Sequence, residues 1–120
     1  MPSFQWITHN GKKILYADIA SQKTEELLDI VKRLKAEIEK EPLDSVLCLC
    51  EVTGGKTNNE INQALKEFVQ YVDPYMKMIT VIGLAGLQTI LFNAVLMFTR
   101  SKKLTTKNSR EEALDWLAQQ

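Results

Sequence analysis

Apolar and polar positions alternate along "FQWIT" and again along "KKILYADI", and the two stretches flank "HNG". Alternation marks a strand with two unlike faces, and Asn-Gly between two such runs is the strongest short hairpin signal. The pattern predicts two antiparallel strands over 3–8 and 12–19. The period then changes. In "TEELLDIVKRLKAEIEK", Leu27, Val31, Leu34 and Ile38 recur at three- and four-residue spacing and form one apolar stripe on a helix. Thr24 reads as the N-cap of that helix, Glu25 and Glu26 suit the positive end of its dipole, and Pro42 closes it. Lys32, Arg33 and Glu39 read as its solvated face.

"DSVLCLCEV" is a continuous apolar run, the mark of a strand buried on both faces. A second helix is expected from Thr57, with Thr57 and Glu60 as a capping box and Ile61, Leu65, Phe68 and Val72 as its buried stripe. Asp73-Pro74 ends it. "MKMITVIGL" is another buried strand, and "GLQTILFNAVLMFTR" a third helix with Leu87, Leu91, Ala94 and Phe98 on one face. "KKLTTK" reads as a short edge strand. "SREEALDWLAQQ" opens on a second capping box, Ser109 with Glu112, and buries Ala113, Leu114 and Leu117. The order β-β-α-β-α-β-α-β-α predicts an α/β fold: a single mixed, mostly parallel sheet of about five strands with an N-terminal antiparallel hairpin, flanked by four helices. Residues 1–120 are expected to form one domain.

Composition narrows the function classes. Acids and bases number 15 each, so the net charge is zero. That argues against a nucleic-acid partner, which draws on a basic excess. The N-terminal "MPSFQWITHNGKK" lacks a basic segment followed by an apolar one, so no secretory signal is expected and the chain is placed in the cytoplasm. Cys48 and Cys50 lie two apart on a strand, on one face and about 6–7 Å from each other. That is too far for an unstrained disulfide, and they read as reduced, small core residues. His9, the one histidine, falls beside the Asn10-Gly11 turn and reads as a turn residue. No metal or cofactor is expected.

"EVTGGKTNNEI" ends in the GKT of a phosphate-binding P-loop. The motif needs G-x-x-x-x-G-K-[ST], which puts its first glycine at Cys50, inside a buried strand. The loop is too short to wrap a triphosphate, and Thr57 already caps a helix. What remains is a strand end, two glycines, a lysine and a helix N-terminus, with "GLAGL" repeating the arrangement after the next strand. Ligands in open α/β sheets favour the crevice beyond the carboxyl ends of the strands. Asp18, Thr53, Gly54, Gly55, Lys56, Thr57, Asn58, Gly83 and Gly86 are expected along that edge. They line either an anion or ligand crevice or simply tight βα turns.

From Met78 to Thr99 no residue is charged. A bilayer span takes about 20 apolar residues. Gly83, Gly86, Gln88 and Asn93 interrupt the run, and strand, turn and helix explain it better than a transmembrane span. With Leu87 and Leu91 facing inward, Phe92 and Leu96 point to the opposite side, near Arg100. An exposed apolar pair of this kind suggests an interface with a protein partner or a second copy. The basic residues that follow, Lys102, Lys103, Lys107 and Arg110, also fit a peripheral lipid contact or a solvated loop.

"NGKKILYADIA", "SVLCLCEVTG", "VIGLAGLQTILFNAVLMFTR" and "REEALDWL" together resemble the SpoIIAA-like proteins, small bacterial domains grouped with the STAS and CRAL-TRIO superfold. The resemblance spans nearly the whole chain. It implies a non-catalytic regulatory module that binds a protein partner. In STAS domains of the SpoIIAA type that partner is a kinase, and the switch is phosphorylation of a serine or threonine after an Asp. The matching place here is Lys56-Thr57-Asn58, so Thr57 is the implied phospho-acceptor, although the Asp-Ser pair is absent. The CRAL-TRIO side implies the alternative, a small-ligand or lipid-binding module. An enzyme is the third class, and it is not expected. Asp18 and Glu51, near the strand ends, are its one candidate acid–base pair.

Overall fold

The computed structural model describes residues 3–19, 23–52, 59–83 and 103–120. Their elements are β1 (Ser3–His9), β2 (Lys12–Asp18), α1 (Thr24–Ile38), β3 (Val46–Glu51), α2 (Asn59–Val72), a short 3-10 turn (Asp73–Tyr75), β4 (Met76–Ile82), β5 (Leu104–Thr106) and α3 (Arg110–Ala118). The five strands lie in the order β1-β2-β3-β4-β5. β1 pairs antiparallel with β2, and every later pairing is parallel. The mixed, mostly parallel α/β sheet expected from the pattern is therefore present. The helix predicted over residues 86–100 lies outside the described residues, among which there are three α-helices.

The opening turn shows why β1 and β2 pair as they do. Asn10 and Gly11 have φ of 50° and 80°. Two consecutive positive values are what a two-residue type I′ turn requires, and Asn-Gly tolerates them at least cost. Seven residue pairs follow without interruption, from His9 with Lys12 to Ser3 with Asp18.

Two apolar layers sandwich the sheet. On one face Leu15, Ala17, Val46, Cys48, Cys50, Ile79 and Val81 meet Leu27, Ile30, Val31, Leu34 and Ile38 of α1 and Ile61, Phe68, Val69 and Val72 of α2. On the other face Ile14, Tyr16, Leu47, Leu49 and Ile82 meet Ala113 and Leu117 of α3. Strands covered on both sides need apolar residues at every position, which is why β3 reads as an unbroken run. Full burial of a side chain such as Leu34 contributes about 1.5–3 kcal/mol.

Three local expectations are corrected. Thr24 is the first helical residue rather than the cap. The cap position is Lys23, whose backbone is extended (φ −117°) and whose side chain makes no capping bond. An N-cap has a non-helical backbone, and Thr24 lies inside the helix. Cys48 and Cys50 do share a face as free thiols, but their side chains lean together to an Sγ–Sγ distance of 3.7 Å, well inside the strand repeat. Leu114 is half-buried where full burial was expected. The box at Ser109 forms as its capping bond: the Glu112 N–H donates to Ser109 Oγ at 3.1 Å.

Candidate functional site

Parallel register aligns the strand ends. Asp18 lies opposite Glu51, and Glu51 opposite Ile82, with Gly83 next in the chain. Gly83 has φ of 87°, a conformation that favours glycine, and it turns the chain out of β4. Asp18, Glu51 and Gly83 thus lie along the carboxyl edge of the sheet. Val52 and Asn59 flank residues 53–58 in the chain. Thr53, Gly54, Gly55, Lys56, Thr57, Asn58 and Gly86 lie outside the described residues, as do Phe92, Leu96 and Arg100.

Two further residues complete this edge. Tyr16 precedes Asp18 by two positions on β2, so both point to the face covered by α3. Its phenol O–H donates to Glu51 Oε2. Arg110, the first residue of α3, stacks its guanidinium 4.3 Å from the centre of the Tyr16 ring. Burial, then the hydrogen bond to Glu51 and the charge of that carboxylate, push the Tyr16 pKa up to about 12. Asp18 adds to the rise, and Arg110 opposes it. The phenol therefore stays protonated at neutral pH. Sequence periodicity places Tyr16 on the correct face but does not say that Arg110 lies above it.

The remaining polar contacts tie elements together. His9, read from sequence as a turn residue, is the last residue of β1, and its Nε2 lies 2.8 Å from Asp115 Oδ1 on α3. Trp6 Nε1 donates to Glu37 Oε1 at 2.9 Å, and Lys13 Nζ sits 4.0 Å from the Trp6 ring centre. The first contact anchors the hairpin to α1, and the second lies within the hairpin, between β2 and β1. Lys107 Nζ lies 4.3 Å from the Trp116 ring centre. Thr80 Oγ1 and Trp116 Nε1 are buried and make no hydrogen bond to any described group. Among the described residues no three His, Cys, Asp or Glu side chains converge as metal ligands, and no helix is long and apolar enough to cross a membrane. The first part of the uncharged run, Met78 to Ile82, is β4.

No protein-family model matches the sequence, and no curated protein does. Among solved structures the fold is similar to that of an uncharacterised protein of the DUF3478 family from Shewanella loihica PV-4, described as having a SpoIIAA-like fold. The match has a TM-score of 0.73 and covers 97% of this chain and 93% of that one, at 14% sequence identity. Sheet order, the antiparallel first strand and helices on both faces agree with it, and the chain has the SpoIIAA-like fold.

Proposed function

We propose that this chain is a non-catalytic, STAS-like regulatory module that binds a protein partner or associates with itself. The observation that carries this reading is the state of the carboxyl edge. Glu51 is one half of the single acid–base pair that the sequence offers, and its carboxylate accepts the Tyr16 hydroxyl. With a pKa near 12, that phenol keeps its proton at neutral pH and holds Glu51 Oε2 in a hydrogen bond across two strands. The pair acts as a structural tie. The SpoIIAA-like fold adds general support.

In this reading the loops after β3 and β4 form the docking edge, with Thr53 to Asn58, Gly83 and Gly86 in contact with the partner. Thr57 beside Lys56 is the residue whose phosphorylation would alter that contact, and Phe92, Leu96 and Arg100 extend the surface. A cytoplasmic setting fits two free thiols lying 3.7 Å apart. A second reading, a small-ligand or lipid module, draws on Thr80 Oγ1 and Trp116 Nε1, two buried polar atoms on the α3 side of the sheet.

Native mass spectrometry of the purified full chain separates the two. The interaction module predicts a spectrum with no added small-molecule mass, with self-association visible as a dimer. A monomer that retains a bound small molecule overturns it in favour of the second reading.

A further inference from the structure

The outer side of β1 is an edge, since among the described residues its one neighbour is β2. The turn decides which backbone groups face it. In a two-residue hairpin the flanking residues, here His9 and Lys12, form a hydrogen-bonded pair. Antiparallel pairs alternate in type, so Ser3, Gln5, Ile7 and His9 direct their N–H and C=O groups at β2. Phe4, Trp6 and Thr8 direct theirs outward.

Proteins normally blunt such an edge with a charge, a proline or a bulge. β1, "SFQWITH", has none of these: no residue in it is charged or proline, and its register with β2 is unbroken. Its side chains are also held in place. Trp6 is fixed by the bond to Glu37 and by Lys13 over its ring, and Phe4 and Trp6 pack against the α1 side while Ile7 packs against the α3 side. The edge is therefore free of bulges and charges, and its side chains are held by packing on both faces.

We propose that β1 is a self-pairing edge, where a second copy of this chain adds its own β1 antiparallel, about a two-fold axis between the two Trp6 residues. This deepens the interaction reading by naming partner and surface, and it rests on that reading. Self-pairing fits because the symmetric register uses every outward group. Trp6 faces Trp6 of the second copy, and Phe4 faces Thr8. All of these are outward-directed residues, so the pairs are of the hydrogen-bonded kind and form roughly six N–H···O bonds. A shift of one residue would set outward groups against inward ones, and a shift of two would lose a pair. Gln5 meets Ile7, Ser3 meets His9, and no two charged residues of the strand meet. The two five-stranded sheets become one continuous sheet, with α1 and α2 of both copies on the same side.

The test is amide hydrogen exchange on the full chain over a concentration series, with sedimentation velocity on the same samples. The expected result is a reversible dimer in which the amides of Phe4, Trp6 and Thr8 gain protection as concentration rises. Gln5 and Ile7, already bonded to β2, should not change. Thr8→Pro removes an outward N–H and leaves the ladder to β2 intact, so it should weaken the dimer by about tenfold or more. A dimer whose Phe4, Trp6 and Thr8 amides exchange as fast as in the monomer overturns the inference and leaves the interaction reading standing. A chain that stays monomeric throughout also overturns it, whereas the interaction reading falls only if that monomer retains a small molecule.

Discussion

Raising the pH should unlock the carboxyl edge through Tyr16. In the folded chain its pKa is about 12, and the ordinary value is 10.0. The fold thus favours the protonated phenol. By linkage, this contribution is fully present below about pH 10 and is lost as pH rises through about 12. A difference of about two between folded and unfolded chain corresponds to at most about 2.7 kcal/mol. Because Glu51 is half exposed, solvent screening should bring the true figure nearer to 1–2 kcal/mol. Tyr16→Phe removes the titrating group and keeps the ring under Arg110. At about pH 8 the variant should be less stable than the parent by about 1 kcal/mol, the usual worth of one hydrogen bond. Towards about pH 12 the gap should close or reverse, because only the parent carries the linked loss. Urea unfolding followed by tryptophan fluorescence at a series of pH values measures this directly. Every other ionisable group is common to both proteins and cancels in the difference. In near-ultraviolet absorbance the latest tyrosine step should vanish in the variant. Stability curves that run parallel across the whole range would refute the reasoning, because Tyr16 would then sense no fold-dependent environment.

Other parts of the fold give simpler outcomes. Thr80→Val should leave stability unchanged or raise it by up to about 1 kcal/mol, because Thr80 Oγ1 is buried without a described partner; a clear loss in denaturant unfolding would mean that the hydroxyl is bonded. Ser109→Ala should cost about 1 kcal/mol in the same assay, through loss of the cap on the Glu112 N–H. Cys48 and Cys50 should react with a thiol reagent only as fast as the chain opens, since the contact with Cys50 and then burial push the Cys48 thiol well above its usual range; rapid modification in native buffer would contradict that placement.

Which parts were legible in the sequence follows from the range of the interactions. Element order, both faces of β3 and the stripe on α1 depend on periodicity, and a period is written locally. The positions of Asp18, Glu51 and Gly83 at one edge follow from that order plus the rule that parallel strands end together. Tyr16 over Glu51 and beneath Arg110 was not legible, because three separate elements supply the residues. His9 shows the same limit more sharply. Its neighbours Asn10 and Gly11 announce a turn, while its partner Asp115 lies 106 positions away. Thr24 failed for the opposite reason: cap preference is local, but where the helix starts depends on how the preceding chain arrives. The thiols were placed correctly by strand spacing, and a choice of rotamer then brought their sulfurs together.

These long-range contacts have a common address. α3 spans Arg110–Ala118 and fully buries Ala113 and Leu117, with Leu114 and Trp116 packed half-buried beside them, and a helix this short is not stable by itself. Polar contacts fix it near both ends: Arg110 on Tyr16 at the carboxyl edge, and Asp115 on His9 at the opposite one. Lys107, just before the helix, adds its contact with Trp116. The last helix is thereby tied both to the strand ends that form the proposed docking edge and to the hairpin that carries β1. A partner that moves Tyr16 or Glu51 would disturb the seat of α3, and a displaced α3 would release His9 at the end of β1. Docking at the carboxyl edge and pairing at β1 would then be coupled through one helix, with no change needed in the apolar layer beneath α1 and α2.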